Sequence, residues 1–107
     1  MLTVKQVEAA SPHELAYECF NEGHRVGRLV AQLTPDGRLE AVLEEISQRE
    51  AGRTLVAKLE RDARANGLPG LYLLAHDERE SAAFLSNGFE PIEEKENALR
   101  LYKSFTR

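Results

Sequence analysis

Apolar and polar residues alternate over four early segments, 2–7, 15–20, 26–33 and 39–46, a period of two that predicts strands with one covered face. Asn21-Glu22-Gly23-His24 and Thr34-Pro35-Asp36-Gly37 separate the later segments with residues that reverse a chain. Leu29, Ala31 and Leu33 share one face of the third strand, as do Leu39, Ala41 and Leu43 in the fourth, while Arg28, Gln32, Glu40 and Glu44 fall on the other. One face of this meander is predicted dry and the other wet, the pattern of an antiparallel sheet with helices on one side only. The period then changes. Leu55, Val56, Leu59 and Ala63 recur at helical spacing, which predicts an amphipathic helix over 51–66 that stops at Asn66-Gly67. The unbroken apolar run 71–75 reads as a strand inside a sheet, so strands four and five should be parallel neighbours joined by that helix. Asp77 with Glu80 three residues later forms a capping-box pattern for a short helix through Asn87, ended by Gly88. Strands over 89–94 and 98–105 close a β-β-β-β-α-β-α-β-β order, with no linker or repeat, and the 107 residues are expected to form one domain.

Composition narrows the function classes. Hydrophobic residues make up 42% and charged residues 30%, the balance of a globular chain rather than a disordered one. Lys plus Arg number 14 against 18 Asp plus Glu, with no basic run, which argues against a nucleic-acid partner. Cys19 stands alone and the three His residues have no ligand spacing, so neither a disulfide framework nor a metal centre is expected, and a reducing cytoplasmic setting fits best. No signal-peptide pattern opens the sequence and no apolar run approaches the roughly 18 residues of a membrane span, so neither export nor insertion is expected.

The segment 39–55, with Ser47-Gln48-Arg49-Glu50-Ala51-Gly52 leading from a hydrophobic strand into a helix, resembles the acetyl-CoA-binding segment of the GNAT N-acetyltransferase superfamily, in which the loop reads R/Q-x-x-G-x-G/A. The run Leu71-Tyr72-Leu73-Leu74 and the later Ser81-Ala82-Ala83-Phe84-Leu85-Ser86-Asn87-Gly88-Phe89 are similar to its fifth strand, fourth helix and following strand start, so the resemblance covers about residues 15–105. It implies a mixed, mostly antiparallel α/β (α+β) sheet with one central parallel pair and two helices. The family's two helices between strands one and two would be reduced or absent, because only Glu8 to Glu14 is available there.

The function implied by the resemblance is an acetyl-CoA-dependent N-acetyltransferase acting on a primary amine. The alternative is a non-catalytic GNAT-like module that binds or regulates a protein partner. Acetyl-CoA, as co-substrate, would meet Val42 and Leu43 through their backbone, Arg49, Ala51, Gly52, Arg53 and Thr54 in the loop and first helical turn, and Asp77 where the family often has Asn. Backbone N–H groups at a helix N-terminus, helped by its dipole, hold the pyrophosphate there. Glu40 and Glu44, on the wet face of the fourth strand, are the implied base candidates.

The pattern departs from the family at three positions. Ser47 replaces the opening R/Q, Glu50 the first glycine, and Phe84 the tyrosine that would protonate the leaving thiolate. Glu50 is therefore expected to accept the first-turn N–H groups in place of a phosphate; an alternative register, Arg49-x-x-Gly52-x-Thr54, restores Arg and Gly but displaces the helix. Without the family's N-terminal helices the acceptor site would be an open surface, suited to a macromolecular amine, and the same polar face is a candidate homodimer contact.

Overall fold

The computed structural model describes residues 1–105. Nine elements follow in chain order: β1 (Leu2–Val7), β2 (Glu14–Asn21), β3 (His24–Leu33), β4 (Leu39–Glu44), α1 (Arg49–Ala65), β5 (Gly70–Ala75), α2 (Glu78–Leu85), β6 (Glu90–Lys95) and β7 (Ala98–Ser104). The strands make one sheet in the order β1-β2-β3-β4-β5-β7-β6. Every neighbouring pair is antiparallel except β4 and β5, which run parallel. Parallel neighbours need a long crossover, and the 17 residues of α1 supply it. Residues 8–13, between β1 and β2, form no helix. This is the mixed architecture expected from the sequence, with its two helices.

Local backbone chemistry moved several boundaries. Glu22 (φ 51°) and Gly23 (φ 84°) both take the left-handed conformation that a two-residue hairpin turn demands, so β3 already starts at His24 rather than Val26. Glu45 (φ 52°) ends β4 at Glu44, two residues short of the expected limit. The Ser47 N–H then donates to the Val26 carbonyl at 2.9 Å, which turns the chain into α1 at Arg49 instead of residue 51.

Both helices lie on the dry face. Ala51, Leu55, Val56, Leu59 and Ala63 of α1 pack on Tyr17, Cys19, Leu29, Ala31, Leu39, Ala41, Leu43, Leu71, Leu73 and Leu101, and Phe84 of α2 joins the same core. Leu33 shares the parity of Leu29 and Ala31 but is 56% exposed, because β3 ends there at the Thr34–Gly37 turn. The buried Tyr17 hydroxyl donates to Asp62 at 2.7 Å and fastens β2 to α1. Burial first, and then the Asp62 carboxylate, push the Tyr17 phenol far above its ordinary pKa, so it stays a donor.

The opposite face carries no helix and is held by charge. Arg28 lies between Glu18 at 3.3 Å and Glu44 at 3.5 Å, and Arg100 binds Glu40 at 2.7 Å while its guanidinium stacks 3.9 Å from the centre of the Tyr72 ring. Tyr102 lies across Gly70, where a Cβ would sit 2.1 Å from its hydroxyl, so glycine is what lets the ring close over the strand. Leu59, with no exposed surface at the centre of the α1 contact, provides the direct check on this packing. Leu59→Ala is expected to lower the unfolding free energy by about 2–5 kcal/mol in chemical denaturation, as for other buried leucines.

Candidate functional site

The parallel pair carries the site. β4 and β5 are in register only from Leu39↔Leu71 to Val42↔Leu74. Beyond that point Leu43 and Glu44 stay paired to Leu29 and Arg28 of β3, while Ala75 stays with Leu99 of β7, so each strand follows its outer neighbour and the two part. The edge of β4 that faces β5 has lost its ladder partners there, leaving backbone groups available to a ligand. A cleft of about 580 Å³ opens at this fork. One wall is Leu43, Ile46, Ser47, Arg49, Gly52 and Arg53; the other is Asp77, Arg79, Glu80, Ala82, Ala83, Phe84 and Ser86.

The first wall is built for an anion. Arg49, Gly52 and Arg53 are spaced so that one face of the first turn of α1 looks into the cleft. The N-cap residue, Gln48, makes no side-chain hydrogen bond to the helix, so the first-turn donors lack the usual capping oxygen. Among the described residues only the Ala51 N–H is engaged locally, with the Gln48 carbonyl at 3.0 Å. Gly52 abuts Leu43, since a Cβ on it would stand 3.3 Å from Leu43 Cδ1, and this brings the helix backbone close to the fork. With Arg79 from the far wall, three guanidinium groups border one opening, and arginine recognises phosphate through paired donors.

The second wall contributes a carboxyl group in an unusual state. Asp77 caps α2 by accepting the Glu80 N–H at 2.8 Å. Glu80 Oε1 is buried with no hydrogen-bond partner among the described residues. Burial, reinforced by the neighbouring Asp77 and opposed by a hydrogen bond from the His76 backbone, pushes the Glu80 carboxyl above the ordinary glutamate range. Phe84, one turn further along α2, is buried and meets Phe89 edge-on with ring centres 5.7 Å apart, so it offers no proton.

The residues expected from sequence distribute unevenly around this cleft. Leu43, Arg49, Gly52, Arg53 and Asp77 line it. Val42 lies on the helix-free face as the last β4 residue paired to β5. Ala51 is fully buried against the sheet, and Thr54 turns away, its hydroxyl donating to the Glu50 carbonyl at 2.8 Å. Glu50 is exposed and outside the lining, and its carboxylate accepts no first-turn N–H among the described residues, contrary to the substitute-ligand expectation. Residues 49, 52 and 53 face the cleft while residue 50 points elsewhere, because a helix turns about 100° per residue. Glu40 is held by Arg100, whereas Glu44 sits at the fork with only the longer Arg28 contact and 47% of its side chain exposed. Arg79 and Glu80 escaped sequence reasoning, because Glu80 had a sufficient role in the capping pattern and nothing in the spacing brings α2 opposite α1.

Comparison with known proteins agrees with this geometry. No family model matches the sequence, and no curated protein matches it in sequence. Solved structures do match. The IAA acetyltransferase from Bacillus cereus ATCC 14579 superposes with a TM-score of 0.80 at 15% identity, over 98% of this chain and 100% of that one. A Bacillus subtilis acetyltransferase in complex with CoA gives 0.77 at 14% identity, over 99% and 100%. The PaiA N-acetyltransferase of Thermoplasma acidophilum, in complex with coenzyme A, gives 0.67 at 19% identity over 87% of this chain, which spans only 62% of that longer protein. The fold is GNAT-like.

The state of Glu80 has a measurable consequence. A carboxyl whose folded pKa is raised adds stability that is complete below the ordinary value of about 4.3 and is lost as the pH climbs through the folded value. Urea unfolding from pH 4 to pH 8 should therefore show the wild type losing stability relative to Glu80→Gln as the pH rises.

Proposed function

We propose that the protein is an acetyl-CoA-dependent N-acetyltransferase that works in the cytoplasm on a primary amine. The observation that carries this reading is the coincidence, in one cleft, of the β4–β5 fork with an uncapped helix N-terminus and three arginines. The residues present fit the co-substrate. Arg49, Arg53 and Arg79 would hold its phosphates, the first turn of α1 at Gly52 would supply backbone donors, and Leu43 with Phe84 would give the pantetheine arm an apolar path toward the fork. Three solved neighbours with the same fold were crystallised with CoA or acetyl-CoA.

Acetyl-CoA bound there supplies a thioester carbonyl, and the unpaired edge of β4 beyond Val42 supplies donors for the oxygen that becomes negative during attack. The amine reaches the fork from the helix-free face, where Glu44 stands at its end and takes the surplus proton. Glu40, fixed by Arg100 at 2.7 Å, shapes that face rather than accepting the proton. The face is open because no helix covers it, which suits an amine on a larger molecule; a second copy of the chain is the other partner it could take. No helix among the described residues is long and apolar enough to cross a membrane, and the one cysteine, Cys19, is buried and unpaired.

A second reading, a module that holds CoA or a protein partner without turnover, draws on one observation, the buried Phe84 where the family places a tyrosine proton donor. Calorimetric titration of acetyl-CoA separates the outcomes when combined with thiol release in the presence of a panel of primary amines. Binding with thiol release supports the enzyme; binding without it for every amine supports the module. In either case Arg49→Glu should weaken acetyl-CoA binding by about tenfold or more, because a charge reversed beside phosphate changes the interaction by at least about 1–2 kcal/mol. Unchanged affinity would remove the phosphate role given to this wall.

A further inference from the structure

We propose that Glu80 is the proton donor to the sulfur leaving group, taking over from α2 the task that Phe84 cannot perform. This rests on the acyl-transfer reading above and assigns a role that it leaves empty. Glu80 precedes Phe84 by one helical turn, so the two share a face of α2, and both line the cleft that reaches Leu43 at the fork. The other polar side chains on that lining are poor donors for a thiolate. Arg49, Arg53 and Arg79 are given to the phosphates, Ser47 and Ser86 offer only alcohol hydroxyls, and Asp77 is engaged as the α2 cap. Tyr72 and Tyr102 belong to the helix-free side, where their hydroxyls pair with Asp36 at 2.7 Å and Arg38 at 2.9 Å.

Glu80 Oε1 is buried and lacks a hydrogen-bond partner among the described residues, a costly state that a ligand's S–H would relieve. The groups around it set its charge. Burial and Asp77 favour the neutral acid, whereas the His76 backbone and the charge of the His76 ring favour the anion. The net direction is toward the protonated acid, the form that can hand a proton to sulfur.

The step balances with this chain and its substrates alone. The amine nitrogen forms its bond to the thioester carbonyl carbon, the C–S bond breaks, and sulfur leaves with the electron pair. It takes the proton from Glu80 and departs as the free thiol. The surplus amine proton goes to Glu44 or to water, and Glu80 regains its own proton from solvent once the thiol has left.

CoA and desulfo-CoA test this without knowledge of the acceptor. In the product complex the Glu80 carboxylate accepts the S–H, so the ultraviolet thiolate absorbance of bound CoA should titrate about one pH unit higher than that of free CoA, and Glu80→Gln should abolish the difference. The carboxyl carbon resonance of Glu80 in the wild type, followed by NMR, should move with CoA and much less with desulfo-CoA; this arm needs no variant. A role confined to capping α2 would leave the thiol titration the same in both proteins. That equality, or a Glu80 resonance that responds alike to both ligands, overturns the proposal while the acyl-transfer reading stands. Failure of CoA to bind the wild type overturns both.

Discussion

Four residue pairs between β4 and β5, from Leu39↔Leu71 to Val42↔Leu74, set the rest of the molecule. Parallel strands cannot be joined by a tight turn, so the chain between them must cross the sheet, and it does so as α1. Because the pairing ends before the strands do, the crossover helix starts beside a gap. The core forms on the side where α1 lies, and the fork appears at the end where its N-terminus, with its positive partial charge, points. The apolar packing and the polar opening are thus consequences of one short ladder.

The two faces of the sheet solve different problems. On the helical side, burial of leucine and alanine supplies the cohesion, and the one polar link across it, Tyr17 to Asp62, works because the phenol keeps its proton. On the bare side the strands are held in place by Arg28, between carboxylates of the adjacent β2 and β4, and by Arg100, which pairs with Glu93 of the adjacent β6 and reaches across β5 to Glu40 of β4. Such pairs at half-exposed positions contribute modestly to stability, but they keep an uncovered face soluble. Their engagement also separates the two glutamates of β4, leaving Glu44 freer than Glu40.

The succession of elements, the parallel pair and the α1 face could be read from the sequence because periodicity reports on burial, whereas the placing of β7 between β5 and β6 carried no such signal. Leu55, Leu59 and Ala63 recur at helical spacing for the reason that they all touch the sheet. Boundaries were less legible, since a left-handed Glu45 carries no sequence signal of its own. The site divided in the same way. Arg49, Gly52 and Arg53 follow from the loop pattern, whereas Ala51 and Thr54, read as ligand contacts, are turned into the core and away from the cleft by the helical rotation. Glu50 was assigned to the anion site by its place in the motif, and one residue of rotation removed it. Arg79 and Glu80 matter only because α2 stands across from α1, a tertiary fact that no local pattern contains.

A residue-resolved NMR titration of the backbone amides with CoA tests the account most directly. The account predicts the largest shifts at Leu43, Arg49, Gly52, Asp77 and Glu80, around the fork. A different hollow, bordered by Val4, Thr54, Ala57, Lys58 and Arg61 and sharing Arg53 with the cleft, also carries positive charge but lies along the side of α1 away from the fork. Shifts confined to that hollow, or none at all, would contradict the claim that the end of the β4–β5 ladder is the binding site.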